Sequence, residues 1–169
     1  FQGTPDAVRK SLPHLNIHRY ENVLILAGDQ LYLMNYQDML AYHRANNADI
    51  TVGTIPVRAE QAPSFGIIKT GDDQMITEFY EKPLRSELAG KESPVSPEMQ
   101  AAGRVYLASM GIYVFKQQVL DEILSNEQEH NDFGRQIIPH AICSRRVASY
   151  PFTGYWSDIG TIRSFYEAH

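Results

Sequence analysis

The apolar residues 23–26 and the Ala27-Gly28-Asp29 that follows them constrain the fold more than any other feature of this sequence. An aliphatic run that ends in a small residue, a glycine and a carboxylate is typical of a buried strand in a parallel sheet. Open α/β sheets bind ligands beyond the carboxyl ends of such strands, where a carboxylate suits a Mg²⁺ ion that bridges to phosphates. Because many strands end in Gly-Asp, the motif alone is weak evidence for a metal site.

The order of the elements around this run predicts an α/β fold with a parallel sheet. We expect a strand over residues 22–27, an amphipathic helix from Tyr36 to Ala45 and a second strand over residues 49–57. A strand, a helix and a strand in that order form a βαβ unit, which joins parallel strands. An earlier helix is expected to start at Thr4, which offers a hydroxyl at the cap before a proline in the first turn.

The rest of the chain alternates between extended and helical patterns. Residues 66–69 and 75–79 flank a polar turn and predict a β-hairpin, whereas the polar residues 84–104 predict an inserted or mobile loop. No internal repeat or interdomain linker is visible, so we expect one domain. The further predicted elements are strands over 110–115 and 146–151 and helices over 119–124, 135–142 and 162–168.

Composition excludes several classes of protein. The chain has 169 residues, of which 43% are hydrophobic, and it carries a net charge of −5, which argues against a general nucleic-acid surface. No apolar run approaches the roughly 18 residues of a membrane span, and the histidines lack zinc-ligand spacing. The single cysteine, Cys143, excludes an internal disulfide, and we expect it to be buried.

Glu81-Lys82-Pro83 follows the second strand of the predicted hairpin, and Pro83 stops that strand by removing an N–H group. In a pocket, Lys82 can pair with a phosphate, and Glu81 can accept hydrogen bonds from sugar hydroxyls. Two ordinary charges at a solvated strand end explain the same pattern, and spacing alone favours that simpler interpretation.

Three further residues have both a functional and a structural interpretation. Asp158 is a candidate second carboxylate for an ion at Asp29, or a helix cap with Trp156 as a core aromatic, and spacing does not decide between the two. Asp132 precedes a predicted helix, where capping is the simpler role. Ser109 can face a ligand, but a serine at a strand edge is often only tolerated.

Seven segments, in order along nearly the whole chain, resemble the sugar-1-phosphate nucleotidylyltransferases. Each segment is weak alone, whereas seven in register are specific. The Ala-Ser-Met-Gly-Ile-Tyr-Val-Phe at 108–115 and the Asp-Phe-Gly at 132–134 are similar to the ADP-glucose branch, the glucose-1-phosphate adenylyltransferases, more than to the dTDP-glucose or GDP-mannose branches. The segments span residues 2–8, 25–29, 65–66, 78–83, 108–115, 131–139 and 154–161.

The resemblance implies a Rossmann-like mixed, mostly parallel sheet flanked by helices, and it implies roles for individual residues. Asp29 and Asp158 would bind a catalytic Mg²⁺, and Lys82 would take the sugar phosphate. The remaining glucose 1-phosphate pocket would be formed by Gly66, Glu81, Ser109, Tyr113, Asp132, Phe133 and Trp156. Gly3 and Thr4 would lie near the nucleotide.

The implied reaction transfers an adenylyl group from ATP to glucose 1-phosphate, giving ADP-glucose and pyrophosphate for glycogen or starch synthesis. The resemblance also implies a cytoplasmic protein that forms a homotetramer at full length, with no nucleic-acid or membrane partner. A non-catalytic sugar-phosphate-sensing subunit or paralogue, and a related enzyme that uses another nucleoside triphosphate, are the alternatives. Asp29, Lys82 and Asp158 together favour catalysis, because a sensing subunit can lose any of them and keep its sugar contacts.

Two segments of the family have no counterpart in this sequence: an N-terminal glycine-rich loop that cradles the triphosphate, and a C-terminal β-helix domain. We therefore expect residues 1–169 to be a partial catalytic domain, incomplete at its N-terminus and inactive by itself.

Overall fold

A computed structural model of the chain describes Lys10 and residues 21–26, 30–32, 35–126, 132–152 and 156–158, with the backbone alone at 30–32 and 156–158. Its strands are β1 (Asn22–Leu26), β2 (Gln30–Tyr32), β3 (Ile50–Val57), β4 (Gly66–Thr70), β5 (Ile76–Glu81), β6 (Tyr106–Lys116), β7 (Val147–Pro151) and β8 (Trp156–Asp158). Its helices are α1 (Tyr36–Ala45), α2 (Pro97–Ala101), α3 (Gln117–Asn126) and α4 (Ile138–Ala141), with a π-helical turn at Phe133–Ile137. The helices predicted to start at Thr4 and to span 162–168 lie outside the described residues, except for the helical Lys10.

β6 is the central strand of a six-stranded sheet. One edge of β6 pairs with β3, while the other edge pairs first with β4 and then with β1. β5 extends the sheet beyond β4, and β7 extends it beyond β3. The mixed α/β architecture is confirmed. Among the described strands of this sheet, however, only β3 and β7 pair in parallel, so the sheet is less parallel than expected.

The predicted βαβ unit has the expected strand direction but not the expected pairing. β1 and β3 both run antiparallel to β6, so they run parallel to each other with β6 inserted between them. The connecting helix α1 crosses the face of β6, where Met39 packs against Met110 and Ile112. The local sequence cannot reveal this insertion, because β6 follows much later in the chain.

The two faces of the sheet are covered by different helices. On one face, α1 packs against alternate residues of β6, including Ile112 and Val114. On the other face, α3, α4 and the π-helical turn cover Tyr113 and Phe115. Fully burying a large apolar side chain such as Phe115 contributes about 1.5–3 kcal/mol. In the part of the chain that the structure describes, no helix is long and apolar enough to cross a membrane.

The helix predicted from Tyr36 to Ala45 is confirmed with those bounds. The side-chain oxygen of Asn35 caps it by accepting hydrogen bonds from the backbone N–H groups of Gln37 (2.9 Å) and Asp38 (3.4 Å). Local signals sufficed for this element, because its cap and its apolar side lie close together in the sequence.

The expectation that Cys143 is buried was wrong. Cys143 is exposed, because it follows α4, whose buried residues are Ile138 and Ala141. The polar segment 84–104 is anchored and contains α2 and a 3₁₀ turn at Arg85–Glu87. Its buried Ser93 hydroxyl donates to a carbonyl oxygen of β4 at 3.1 Å and accepts from a backbone N–H of the same strand at 3.1 Å.

His43 is a buried residue of α1 that connects three elements. It is 1% exposed, its Nδ1 lies 2.7 Å from Thr51 Oγ1 on β3, and its Nε2 lies 3.1 Å from Asn22 Oδ1 on β1. Burial, helped by the charges of Lys116 and Arg44, lowers the pKa of His43 to about 4. The folded protein therefore holds a neutral imidazole at this position near neutral pH.

We predict that His43 makes the protein less stable as the pH falls from about 6.5 to about 4. In that interval the unfolded chain binds a proton at His43 that the folded protein excludes, so acid favours unfolding. Below both pKa values the loss in the free energy of unfolding is complete. It amounts to about 3 kcal/mol, because a difference of one pKa unit corresponds to roughly 1.4 kcal/mol. The melting temperature of His43→Gln should therefore fall less between pH 7 and pH 4 than that of the wild type.

The same substitution at the exposed His140 controls for the loss of a histidine as such. A His43→Gln variant whose melting temperature falls with pH as steeply as that of the wild type would contradict the prediction.

Candidate functional site

A bulge in β6 brings Ser109 and Tyr113 towards each other on one face of the sheet. Val52 of β3 pairs with Tyr113 and Thr54 pairs with Ser109, so three residues of β6 lie opposite Gly53 alone. Four residues of regular strand span about 13 Å, whereas the two residues on β3 span only about 7 Å. The bulge therefore shortens the separation of Ser109 and Tyr113 along the sheet by about half.

Two glycines make this bulge possible. Gly111 has a φ of +71°, in the left-handed region that side chains with a Cβ rarely adopt, and its N–H group donates to Ser109 Oγ at 3.5 Å. On the facing strand, a Cβ at Gly53 would lie 3.3 Å from the Cβ of Ile112. A side chain at either position would push the strands apart or change the bulge.

Tyr113 is the buried centre of the site. It is 7% exposed, and its side chain is hydrogen-bonded to Ser109. Burial raises the pKa of Tyr113 to about 12, the hydrogen bond to Ser109 opposes this, and the negative charges of Asp132 and Glu81 add to it. The phenol is therefore neutral near pH 7 and can donate a hydrogen bond, but it cannot act as a base.

Glu81 and Gly66 face each other across the β4–β5 hairpin. The Glu81 Oε2 atom lies 3.3 Å from the position that a Cβ on Gly66 would occupy, and Phe79 Cζ lies 2.5 Å from it. Only glycine leaves room for both side chains here. The side chain of Glu81 is 29% exposed, so its carboxylate is accessible from solvent while it remains partly shielded.

The π-helical turn positions Asp132 and Phe133. The backbone N–H of Ile137 donates to the carbonyl oxygen of Asp132 at 3.1 Å, five residues away, which widens the turn. Asp132 Oδ1 accepts the N–H of Arg135 at 2.8 Å, so its capping role is confirmed. The ring of Phe133 is buried 5.4 Å from that of Tyr113, between the turn and the sheet.

Lys82 has an unusual backbone conformation. Its φ is +44°, although the residue before a proline is normally extended, so the extended conformation ends at Glu81. Its N–H donates to the carbonyl oxygen of Phe65 at 3.0 Å, and the following Pro83 is buried. Such a conformation costs about 1–3 kcal/mol and is often found at functional sites.

β2 and β8 form a separate antiparallel pair in which Gln30 lies opposite Asp158 and Tyr32 opposite Trp156. Gln30 follows Asp29 in the sequence, so the strand after the first predicted metal ligand pairs with the strand that carries the second. Asp29, Gly3 and Thr4 lie outside the described residues, as do the side chains of Trp156 and Asp158.

The structure thus gathers six of the residues predicted for the sugar pocket on one face of the sheet. Arg135 and Phe79 belong to the same cluster, although the sequence pattern did not single them out. Arg135 Nε lies 3.8 Å from Glu81 Oε1, a contact between distant segments that local spacing cannot indicate. The six predicted residues are Gly66, Glu81, Ser109, Tyr113, Asp132 and Phe133.

A cavity of about 250 Å³ lies elsewhere on the protein and differs in chemistry. No residue that lines it carries a charge, so it does not suit a phosphate, and the cluster around Tyr113 remains the candidate functional site. The cavity is lined by Pro56, Gln74, Pro94, Val95, Ser96, Met99, Leu107 and Pro151.

The chain is similar to known nucleotidyl transferases. The model of the family described as nucleotidyl transferase matches residues 2–169. A glucose-1-phosphate adenylyltransferase from Lachnospira eligens is 41% identical over 172 residues, which cover 100% of this chain and 37% of that protein. The chain thus spans little more than a third of the length of this relative. With its mixed sheet and a match over nearly its whole length, the chain belongs to the nucleotidyl transferase family.

Proposed function

We propose that this chain is part of a catalytic domain that transfers an adenylyl group from ATP to glucose 1-phosphate, giving ADP-glucose and pyrophosphate. The observation that supports this most is the cluster of Glu81, Ser109, Tyr113 and Asp132, which presents hydrogen-bonding groups of the kind that bind sugar hydroxyls. The relative that is 41% identical is named for this activity. In keeping with the resemblance, we further propose a cytoplasmic homotetramer that supplies glycogen or starch synthesis.

The proposed reaction needs little covalent work from the protein. A phosphate oxygen of glucose 1-phosphate attacks the α-phosphorus of ATP, and the bond from that phosphorus to the oxygen of the leaving pyrophosphate breaks. The attacking phosphate is already largely ionised near neutral pH, so no general base is required. Catalysis then depends on positioning and on the neutralisation of charge.

Several residues of the site have a part in this scheme. Glu81 accepts hydrogen bonds from sugar hydroxyls, and Ser109 and the neutral Tyr113 offer further hydroxyl groups to the sugar. Lys82 pairs with the phosphate, which fits its exposed side chain at the end of β5. Gly3 and Thr4 are proposed to lie near the nucleotide.

A Mg²⁺ ion is proposed as cofactor, with Asp29 and Asp158 as its ligands. Carboxylate oxygens are the donors that Mg²⁺ prefers, and the pairing of Gln30 with Asp158 fits two carboxylates at one end of neighbouring strands. When bound, the ion would neutralise phosphate charge and orient the attacking and leaving groups.

The first test is an assay of pyrophosphate release by a full-length protein that contains this chain, with glucose 1-phosphate, Mg²⁺ and each of ATP, UTP, CTP and dTTP in turn. We expect release with ATP alone and its loss in Asp29→Asn. Release with a different nucleotide would replace the adenylyl assignment. No release with any nucleotide, while glucose 1-phosphate still binds, would indicate a sensing subunit.

Lys82 offers a prediction in which stability and activity change independently. Asn tolerates the left-handed region, so Lys82→Asn should melt at the wild-type temperature or higher. Because it removes a charge-assisted contact of roughly 1.5–3 kcal/mol, its KM for glucose 1-phosphate should rise about 10- to 100-fold. Lys82→Arg keeps the charge and serves as the control. A lower melting temperature with an unchanged KM would mean that Lys82 has only a structural role.

Gly66→Ala should damage the sugar pocket directly. The new Cβ would lie 2.5 Å from Phe79 Cζ and displace the ring of Phe79. A Cβ built at Gly134 would lie 3.6 Å from the same Cζ atom, so the ring has little room to move in that direction. We expect kcat/KM for glucose 1-phosphate to fall roughly 10- to 100-fold. Gly71→Ala is the control, since a Cβ there meets only a flexible aspartate side chain at 3.1 Å. Equal activity of the two variants would contradict the proposed pocket.

A further inference from the structure

Arg135 contacts both carboxylates of the candidate site. Its backbone N–H donates to Asp132 Oδ1 at 2.8 Å, and its side-chain Nε lies 3.8 Å from Glu81 Oε1. These two carboxylates approach each other over Gly134, where a Cβ would lie 3.5 Å from Asp132 Oδ1 and 3.6 Å from Glu81 Oε2. One residue thus connects two acidic groups that come from distant parts of the chain.

This arrangement poses an electrostatic problem for an anionic substrate. Two neighbouring carboxylates repel a phosphate. Both negative charges also raise the pKa of the buried Tyr113 hydroxyl. A guanidinium beside Glu81 reduces the repulsion, because its positive charge offsets that of the carboxylate.

We propose that Arg135 is a positioning residue that holds the Glu81 carboxylate in the orientation in which it accepts hydrogen bonds from the sugar. This inference rests on the proposed function, in which Glu81 binds the sugar of glucose 1-phosphate. Substitution of Arg135 removes the ion pair with Glu81 but retains the hydrogen bond from the backbone N–H of residue 135 to Asp132, which caps the turn. The effect can therefore be separated from a general loss of structure.

The test compares Arg135→Gln and Arg135→Lys with the wild type in the full-length protein. In Arg135→Gln, the KM for glucose 1-phosphate should rise about fivefold, as expected for a partly exposed ion pair, while kcat and the KM for ATP change less than about twofold. Arg135→Lys keeps the positive charge and should restore part of the affinity for glucose 1-phosphate.

Arg85→Gln is the matched control. Arg85 pairs with Glu60 at 3.4 Å, and its side chain is 66% exposed against 61% for Arg135. This variant should behave as the wild type in every kinetic measurement.

A double variant with Glu81→Gln tests whether Arg135 acts through Glu81. If it does, Arg135→Gln should add little to the effect of Glu81→Gln. Additive effects, no rescue by Arg135→Lys, or a parallel loss in the KM for ATP would overturn the inference while the proposed function stands.

Measurements on the wild type distinguish a failure of the proposed function from a failure of the inference about Arg135. Absence of pyrophosphate release by the wild type overturns the proposed function. In that case, the calorimetric Kd for glucose 1-phosphate in the same variants replaces the KM as the test of Arg135. If the wild type does not bind glucose 1-phosphate at all, the inference fails as well.

Discussion

The pairing of β6 with three other strands is the constraint on which the candidate site depends. β6 must match β3 on one edge and both β4 and β1 on the other, so its register is held on both sides of the bulge. The bulge opposite Gly53 lies within this held strand, which leaves it little freedom to slide. As a result, Ser109 and Tyr113 are presented from a rigid support, as the proposed binding of a small sugar requires.

The electrostatics of the site follow from the packing of the π-helical turn on the β4–β5 hairpin. Because Gly66 and Gly134 lack side chains, the two segments approach closely and the carboxylates of Glu81 and Asp132 lie near each other. Such closeness concentrates negative charge in a chain that is already acidic overall. Arg135, 3.8 Å from Glu81, offsets part of this charge, which the proposed binding of a sugar phosphate requires.

Elements whose signals lie close together in the sequence were predicted well. The helix from Tyr36 to Ala45 has its cap and its apolar side within a few residues, and the hairpin around residues 71–73 has its turn between two extended runs. Errors arose where distant segments decide the outcome. β6 inserts between β1 and β3, and Lys82 takes a left-handed conformation against the extended pattern around it.

The candidate site divides in the same way. The sequence by itself determined the mixed α/β class, the family and the residue types that suit a sugar phosphate, because motifs and periodicity are local properties of the chain. Only the tertiary structure decided that Glu81 and Asp132 approach each other over Gly134, and that Arg135 contacts both carboxylates. Contacts between residues far apart in sequence depend on strand order, register and close approach at glycines, and these are set by the packing of the whole sheet.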